Sequence, residues 1–593
     1  MKERCSHTPF VYFSANPHLM PAFLLVLMLT GMPGTAQERK TSTAPGPGTW
    51  KGSELVYTMQ GSVRGIRDTF DTFAWLGLPY AQAPVGELRW KAPQPPLSWK
   101  GIKKADSFGA QAIQKLALVG WIRGSEDCLY LNIWRPADSS ANLPVFVWIH
   151  GGGNSSGASN ASPAYLGQAL AARGRLVFVS INYRLGVFGW LSHPVLREGI
   201  DPATDSGNFG TLDIIQALRW IQQNIRAFGG DPENVTIAGE SAGGFNVMTM
   251  LASPAARGLF HRAIAQSAYR IKTTMAQAES FARDLFVQLL VKTRRAKTVE
   301  EAARLLDTED PTALRRWLRS LPARTIMASF KAGPSGMINF PYPIFDGHIL
   351  PAAGFEAFND PSFALTTPLI IGTNKEETKI FQFLGGGNIR DPYYQAFAEL
   401  SSARWKAEGA DSFADAIAGK DGRPPVYLYR FDWGALHPDG TSVLPPTVAR
   451  RLGAFHSLEI PFFLGTGKIH GDIPLINEIF TEDNRGGRLA LQHQMVSHVR
   501  NFAWTGDPNI PPSWATEQSQ SNGLLAVGDW PFWPAWNPKA EPEPSFMVFD
   551  ATHEALASRV EQGRMTMEKV RAMLFEYPEP LRSRLGKGLQ LDD

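Results

Sequence analysis

The sequence predicts an α/β protein whose central sheet is large, mostly parallel and covered by helices on both faces. Three observations carry this. Apolar runs at 143–149, 176–181, 235–238, 368–371 and 426–433 alternate with helical patterns, and such alternation builds parallel strands through helical crossovers. Ile214, Ile215, Leu218, Ile221, Ile225 and Phe228 recur at helical spacing, with Gly229-Gly230 as a stop before the next strand. Finally, Gly239-Glu240-Ser241-Ala242-Gly243-Gly244 joins the strand 235–238 to an apolar helical pattern running through Phe245, Val247, Met248 and Leu251. A serine at that junction is forced into a strained backbone that pushes its hydroxyl out of the sheet, and only glycine-sized neighbours let strand and helix come so close. This is the sequence form of a nucleophile elbow.

Taken in chain order, Lys2 and Arg4, the apolar run 22–29 and the small-residue site Gly34-Thr35-Ala36 predict an export signal over 1–36, cut after Ala36. The apolar run is too short to span a bilayer comfortably, so no stable membrane anchor is expected after cleavage. An uncleaved anchor and a start at Met20 are the alternatives. Cys5 precedes the cut, which leaves Cys128 alone in the mature chain and no intrachain disulfide, a pattern that fits a bacterial periplasmic or secreted protein. Residues 37–54 read as a flexible linker, and the main domain is expected over 55–580. Within it, 273–321, rich in Ala, Leu, Arg and Glu, reads as an inserted helical cap or regulatory subdomain. Residues 581–593 read as a polar tail.

Composition narrows the function classes. Hydrophobic residues make up 44% and charged residues 19% of the chain, which fits a globular protein. A net charge of +3 without long Lys/Arg blocks gives no electrostatic case for nucleic acid. Upstream of the elbow, the strand 145–149 ends in His150-Gly151-Gly152-Gly153, a turn able to present backbone N–H groups to an oxyanion. The second triplet, Gly385-Gly386-Gly387, reads as a plain loop. Neither fits G-x-G-x-x-G, so a dinucleotide site has no support. His493 and His498 lack the H-x-x-x-H spacing and there is no cysteine cluster, so neither a metal nor another cofactor is expected. A serine nucleophile needs a base, and the 12 histidines leave that choice open.

His150 to Gly153, the stretch Ser125-Glu126-Asp127-Cys128-Leu129-Tyr130-Leu131-Asn132 and the elbow together resemble the type B carboxylesterase family, which includes cholinesterases and several fungal lipases. The likeness begins at Gly77-Leu78-Pro79-Tyr80-Ala81, runs through Asn182-Tyr183-Arg184-Leu185-Gly186, and ends near Thr505-Gly506-Asp507-Pro508-Asn509. It implies an α/β-hydrolase fold and a serine esterase that needs only an ester substrate and water. It places the acid at Glu377 in Gly372-Thr373-Asn374-Lys375-Glu376-Glu377 and the base at His456 in Phe455-His456-Ser457-Leu458-Glu459-Ile460. Glu377 also follows the apolar run 368–371 and so emerges at a strand's C-terminal end, where open α/β sheets place ligands; Glu376 is its rival. The expected catalytic set is Ser241, Glu377 and His456, with the N–H groups of Gly152, Gly153 and Ala242 holding the oxyanion and His456 titrating at roughly pH 6 to 7. Arg89 with Glu126, and Arg184 with Asp213, resemble the family's buried ion pairs.

Departures from the family pattern bear on specificity. Cys128 lacks the upstream cysteine with which the family closes a loop, and Trp121 is displaced from the position that binds choline in cholinesterases. Asn154 replaces an aromatic residue after the glycine triplet, so the resemblance implies an amide in the acyl pocket and tolerance for smaller or more polar acyl groups. Thr378 and Ala268 stand where the family often has glycine. A lipase acting on longer-chain glycerides and a non-catalytic adhesion-type homologue are the alternatives, separable by emulsified triglyceride and by serine-directed labelling.

Overall fold

Eleven strands of the computed structural model share one sheet. In chain order they are β1 (Ile66–Asp68), β2 (Thr72–Pro79), β3 (Tyr130–Pro136), β4 (Leu143–Ile149), β5 (Val177–Ile181), β6 (Gly230–Glu240), β7 (Arg262–Gln266), β8 (Leu369–Asn374), β9 (Val426–Phe431), β10 (Ser545–Phe549) and β11 (Arg559–Gln562). Their spatial order is β11-β10-β9-β8-β7-β6-β4-β5-β3-β2-β1. Pairings from β5 through β10 are parallel, while β1, β2 and β3 on one side and β11 on the other add antiparallel edges. The structure describes residues 48–116, 120–333, 337–418, 422–469, 475–514 and 530–591. The predicted signal and most of the predicted linker lie outside them. All described residues belong to the compact unit Pro45–Asp593.

The continuous apolar runs follow from a sheet buried on both faces, because successive side chains of a strand point to opposite sides. Val145, Val147, Ile149, Val177, Val179, Val235, Ile237, Leu369 and Ile371 join one core cluster. Phe146, Trp148, Phe178, Ala238, Ile370, Tyr427 and Tyr429 join the other. The first face is covered by the helices Phe209–Asn224 and Ala242–Ala252, which contribute Ile214, Leu218, Ile221, Phe245 and Val247. The second is covered by the helix Arg485–Thr505 through Leu491, Met495, Val499 and Phe502.

The segment 273–321 forms three helices, Met275–Lys292, Val299–Thr308 and Pro311–Ser320. Local chemistry sets their starts. Thr274 and Gln277 form a reciprocal capping box, Thr298 accepts from the Glu301 N–H, and Asp310 accepts from the Ala313 N–H ahead of a proline-led first turn. Arg89 ties this helical segment to the body. It grips Glu126 through two hydrogen bonds of 2.6 Å and donates to the carbonyls of Leu318 and Leu321. The chain end differs from the polar tail read in the sequence: Leu581–Leu589 is a helix. Leu581, Leu585 and Leu589 are spaced four apart and so share one face, where Leu585 and Leu589 are buried in a cluster with Leu400, Val570 and Leu574.

Arg184 and Asp213 form a fully internal pair. The guanidinium donates to both Asp213 oxygens at 2.8 and 2.7 Å, the Arg184 backbone N–H adds a third bond at 3.0 Å, and the carbonyls of Lys91 and Phe209 take further N–H groups. The two charges thus lock β5's C-terminal loop to the helix Phe209–Asn224. Removing one partner leaves the other charge buried without compensation. Asp213→Ala is expected to lower unfolding free energy by about 3–5 kcal/mol, measured by urea denaturation; a loss under about 1 kcal/mol contradicts this role.

Candidate active site

The turn between β6 and the helix Ala242–Ala252 is built by steric exclusion. A Cβ on Gly239 would lie 2.5 Å from the Gly243 carbonyl carbon, one on Gly243 would lie 2.0 Å from the Ile149 oxygen, and one on Gly244 would lie 2.4 Å from the Gln266 oxygen. Glycine is therefore required where β6 and its helix press against β4 and β7. Ser241 takes φ 58° and ψ −120° at the head of the helix, a conformation costing on the order of 1–3 kcal/mol for a residue with a side chain. Its backbone N–H is held by the Gln266 carbonyl and its carbonyl starts the helix by accepting from Phe245. Beside it, Gly152 and Gly153 adopt φ 105° and 62°. Among the described residues, the N–H groups of Gly152, Gly153 and Ala242 donate to no protein acceptor. Three free donors thus flank the serine, two from a tight glycine turn and one from a helix N-terminus, where the dipole favours negative charge.

Glu377 and His456, far apart in sequence, meet here. His456 Nδ1 lies 2.6 Å from Glu377 Oε2, while Glu377 Oε1 accepts from Ser267 Oγ at 2.6 Å and from the Asn374 N–H at 2.7 Å. Every lone-pair direction of Glu377 needed to fix its rotamer is occupied. Glu376 is committed elsewhere, to Lys379, Leu436 and Ala454. The other imidazole nitrogen, His456 Nε2, lies 3.0 Å from Glu240 Oε1, an ion-pair contact when the ring is protonated, and makes no hydrogen bond among the described residues. Phe381 and Trp405 pack on the ring at centroid distances of 5.2 and 5.0 Å.

Three carboxyl groups surround this imidazole, and two of them escaped the sequence reading. Glu240 accepts from Ser457 Oγ at 2.6 Å, and Glu459 accepts from Asn374 Nδ2 at 2.6 Å. Burial lowers the affinity of His456 for its proton, but the Glu240 and Glu377 charges and the hydrogen bond to Glu377 outweigh it and raise the pKa to about 9. That corrects the ordinary histidine range expected from sequence. Burial raises Glu240, with His456 opposing, and burial together with the Glu240 and Glu377 charges pushes Glu459 well up. A glutamate at a buried strand end and another one helical turn after a histidine were visible as residues; only their convergence was not. His150 is different. Stacked on Tyr183 and bonded at Nδ1 to the Gly151 carbonyl, it is driven by burial to about 4 and stays neutral.

Ser241, 5% exposed, opens into a cavity of about 510 Å³ walled by Tyr269, Tyr342, Phe381 and Trp405, with Arg270, Arg404 and Glu408 also on its lining. A π-helical turn, Ala407–Asp411, brings Glu408 and Gly409 to this wall; a Cβ on Gly409 would sit 2.1 Å from the Ala268 oxygen. Asn154 does not line the cavity. Its side chain is buried in a reciprocal amide pair with Asn246, at 3.2 and 2.8 Å, and accepts from the Tyr183 hydroxyl. A φ of 53° turns Asn154 beneath the serine's helix, so the amide serves packing there and the acyl-pocket assignment is corrected. Trp121 is 73% exposed and off the cavity lining. Cys128 is a free buried thiol whose pKa burial raises well above the usual range. Among the described residues, no cluster of His, Cys, Asp and Glu could hold a metal ion.

The carboxylesterase family model matches residues 52–407. The chain is 33% identical over 506 residues to the para-nitrobenzyl esterase of Bacillus subtilis, covering 80% of this chain and 94% of that protein. It is 32% identical over 505 residues to carboxylesterase 5A of Felis catus, covering 76% and 86%. A solved carboxylesterase structure from Geobacillus stearothermophilus superposes with a TM-score of 0.63 at 30% identity, over 88% of this chain and 99% of that one. The family match over most of the chain and the likeness to these esterases in sequence and fold place the chain in the carboxylesterase family as a carboxylic ester hydrolase of the α/β-hydrolase fold.

Proposed function

We propose that the ester is cleaved by acyl transfer through Ser241, with His456 as general base and Glu377 as the group that orients it. The observation that carries this reading is His456 itself: Nδ1 is fixed by Glu377, Nε2 makes no hydrogen bond among the described residues, and the ring packs against two walls of the cavity that Ser241 lines. Nε2 takes the Ser241 proton as the serine oxygen attacks the ester carbonyl. The carbonyl oxygen becomes an anion held by the N–H groups of Gly152, Gly153 and Ala242. Collapse of the tetrahedral intermediate expels the alcohol, which receives the proton from His456; water then attacks the acyl-enzyme by the same route in reverse. Glu377 stabilises the imidazolium formed in each half.

Export is proposed as well. It is supported by the order of basic residues, apolar run and small-residue site in 1–36, and among the described residues no helix is long and apolar enough to cross a membrane. N-terminal sequencing of protein recovered outside the cytoplasm is expected to begin at Gln37; an intact N-terminus overturns the cleavage.

Ser241→Ala is expected to lower kcat on 4-nitrophenyl acetate by about four to six orders of magnitude and to abolish labelling by a serine-directed phosphonate. Retained labelling would refute the nucleophile. The pH dependence has a definite sign: the base works only when neutral, and His456 holds its proton up to about 9, so kcat/KM should climb with pH through the alkaline range. Because Glu240 supplies part of that upward shift, Glu240→Gln should move the rising limb to lower pH. An unmoved limb contradicts the electrostatic assignment.

A further inference from the structure

The walls of the Ser241 cavity carry a polar element that ester hydrolysis alone does not use. Arg270 follows β7 directly, in a segment already anchored at two points: Ser267 donates to Glu377, and the Tyr269 ring stacks on Phe245 at 4.8 Å and 7°. Its side chain is only 27% exposed, and among the described residues its guanidinium makes no hydrogen bond. The single ion-pair contact is a 3.5 Å approach to Glu356, itself 65% exposed, and the guanidinium rests on the Phe413 ring at 5.0 Å. A planar five-donor cation held this way, with its partner loosely paired in solvent, is disposed to take a carboxylate.

Two further observations point the same way. The Tyr269 hydroxyl on the same lining is buried without a hydrogen-bond partner, and burial keeps it in its neutral, donating form. Arg404, also on the lining, is oriented by Glu408 and by the Leu589 carbonyl at 2.6 Å. The lining therefore bears two guanidiniums against one carboxylate. This matters because cations on the cavity wall raise the local potential where an anionic substrate would sit.

Resting on the assignment of ester hydrolysis to Ser241, we propose that this cavity takes esters bearing a carboxylate remote from the reacting carbonyl, with Arg270 as the specificity residue that binds that carboxylate. Hydrolysis consumes one water, breaks the acyl C–O bond and releases an acid and an alcohol, one of which keeps the second carboxylate.

The test compares kcat/KM for 4-nitrobenzyl hemiglutarate, charged on the acyl side, 3-carboxybenzyl pentanoate, charged on the alcohol side, and neutral 4-nitrobenzyl pentanoate. In Arg270→Gln the ratio of one charged ester to the neutral ester should fall about tenfold or more, mainly through KM, and Arg270→Lys should recover part of it. Which ester loses tells where the carboxylate sits. An equal change in all three esters, or none, overturns the proposal. Calorimetric binding of 4-nitrobenzyl hemiglutarate and 3-carboxybenzyl pentanoate to Ser241→Ala, with and without Arg270→Gln, reads the carboxylate site without turnover. Arg270-dependent binding of either ester, with wild-type protein that hydrolyses none of the three, would sink the hydrolytic reading and leave the carboxylate site standing; binding independent of Arg270 sinks the site.

Discussion

The close approach of β6 and its helix to β4 and β7 governs the rest of the molecule. With main-chain atoms of Ile149 and Gln266 where side chains of Gly243 and Gly244 would be, Ser241 can only stand in a strained conformation, facing the cavity at the C-terminal edge of the sheet. The same contact sets the glycine turn after β4 against the serine, since a Cβ on Gly151 would lie 2.7 Å from the Glu240 oxygen. The strained serine and the unpaired N–H groups beside it are thus consequences of one packing constraint. The local strain is small beside the burial of a sheet with two apolar faces, which holds the turn in place.

Electrostatics are built on that scaffold. Burying Glu240, Glu377 and Glu459 around one imidazole is costly, and each carboxyl is retained through specific donors: Ser457, Ser267 with the Asn374 N–H, and the Asn374 amide. Their field holds the proton on His456 and strengthens it as a base once the proton leaves. The terminal helix, through the Leu589 carbonyl, and the π-helical turn therefore reach the chemistry indirectly, by positioning Arg404, Glu408 and Trp405.

Signals carried by neighbouring residues were legible without a structure. Strand runs, the helix 209–224 and the elbow glycines were readable because apolar periodicity and glycine-only contacts leave local traces, whereas the ion pairs were implied only by the family resemblance. Reading from sequence neighbours failed where side-chain direction mattered. Asn154 follows the oxyanion glycines by one residue, yet its positive φ sends the amide under the helix to Asn246. Leu581, Leu585 and Leu589 lay within a polar composition and were overlooked, although their four-residue spacing marks a helix face.

By itself the sequence determined the sheet, the strained serine and the kind of bond the protein breaks, since each is written in short patterns of residue size and polarity. Tertiary structure alone decided that Glu240 and Glu459 surround the same ring as Glu377, and that Arg270 shares a cavity with Ser241. The reason is physical. Charge acts through distance and burial, and residues separated by more than two hundred positions acquire both only when the sheet closes.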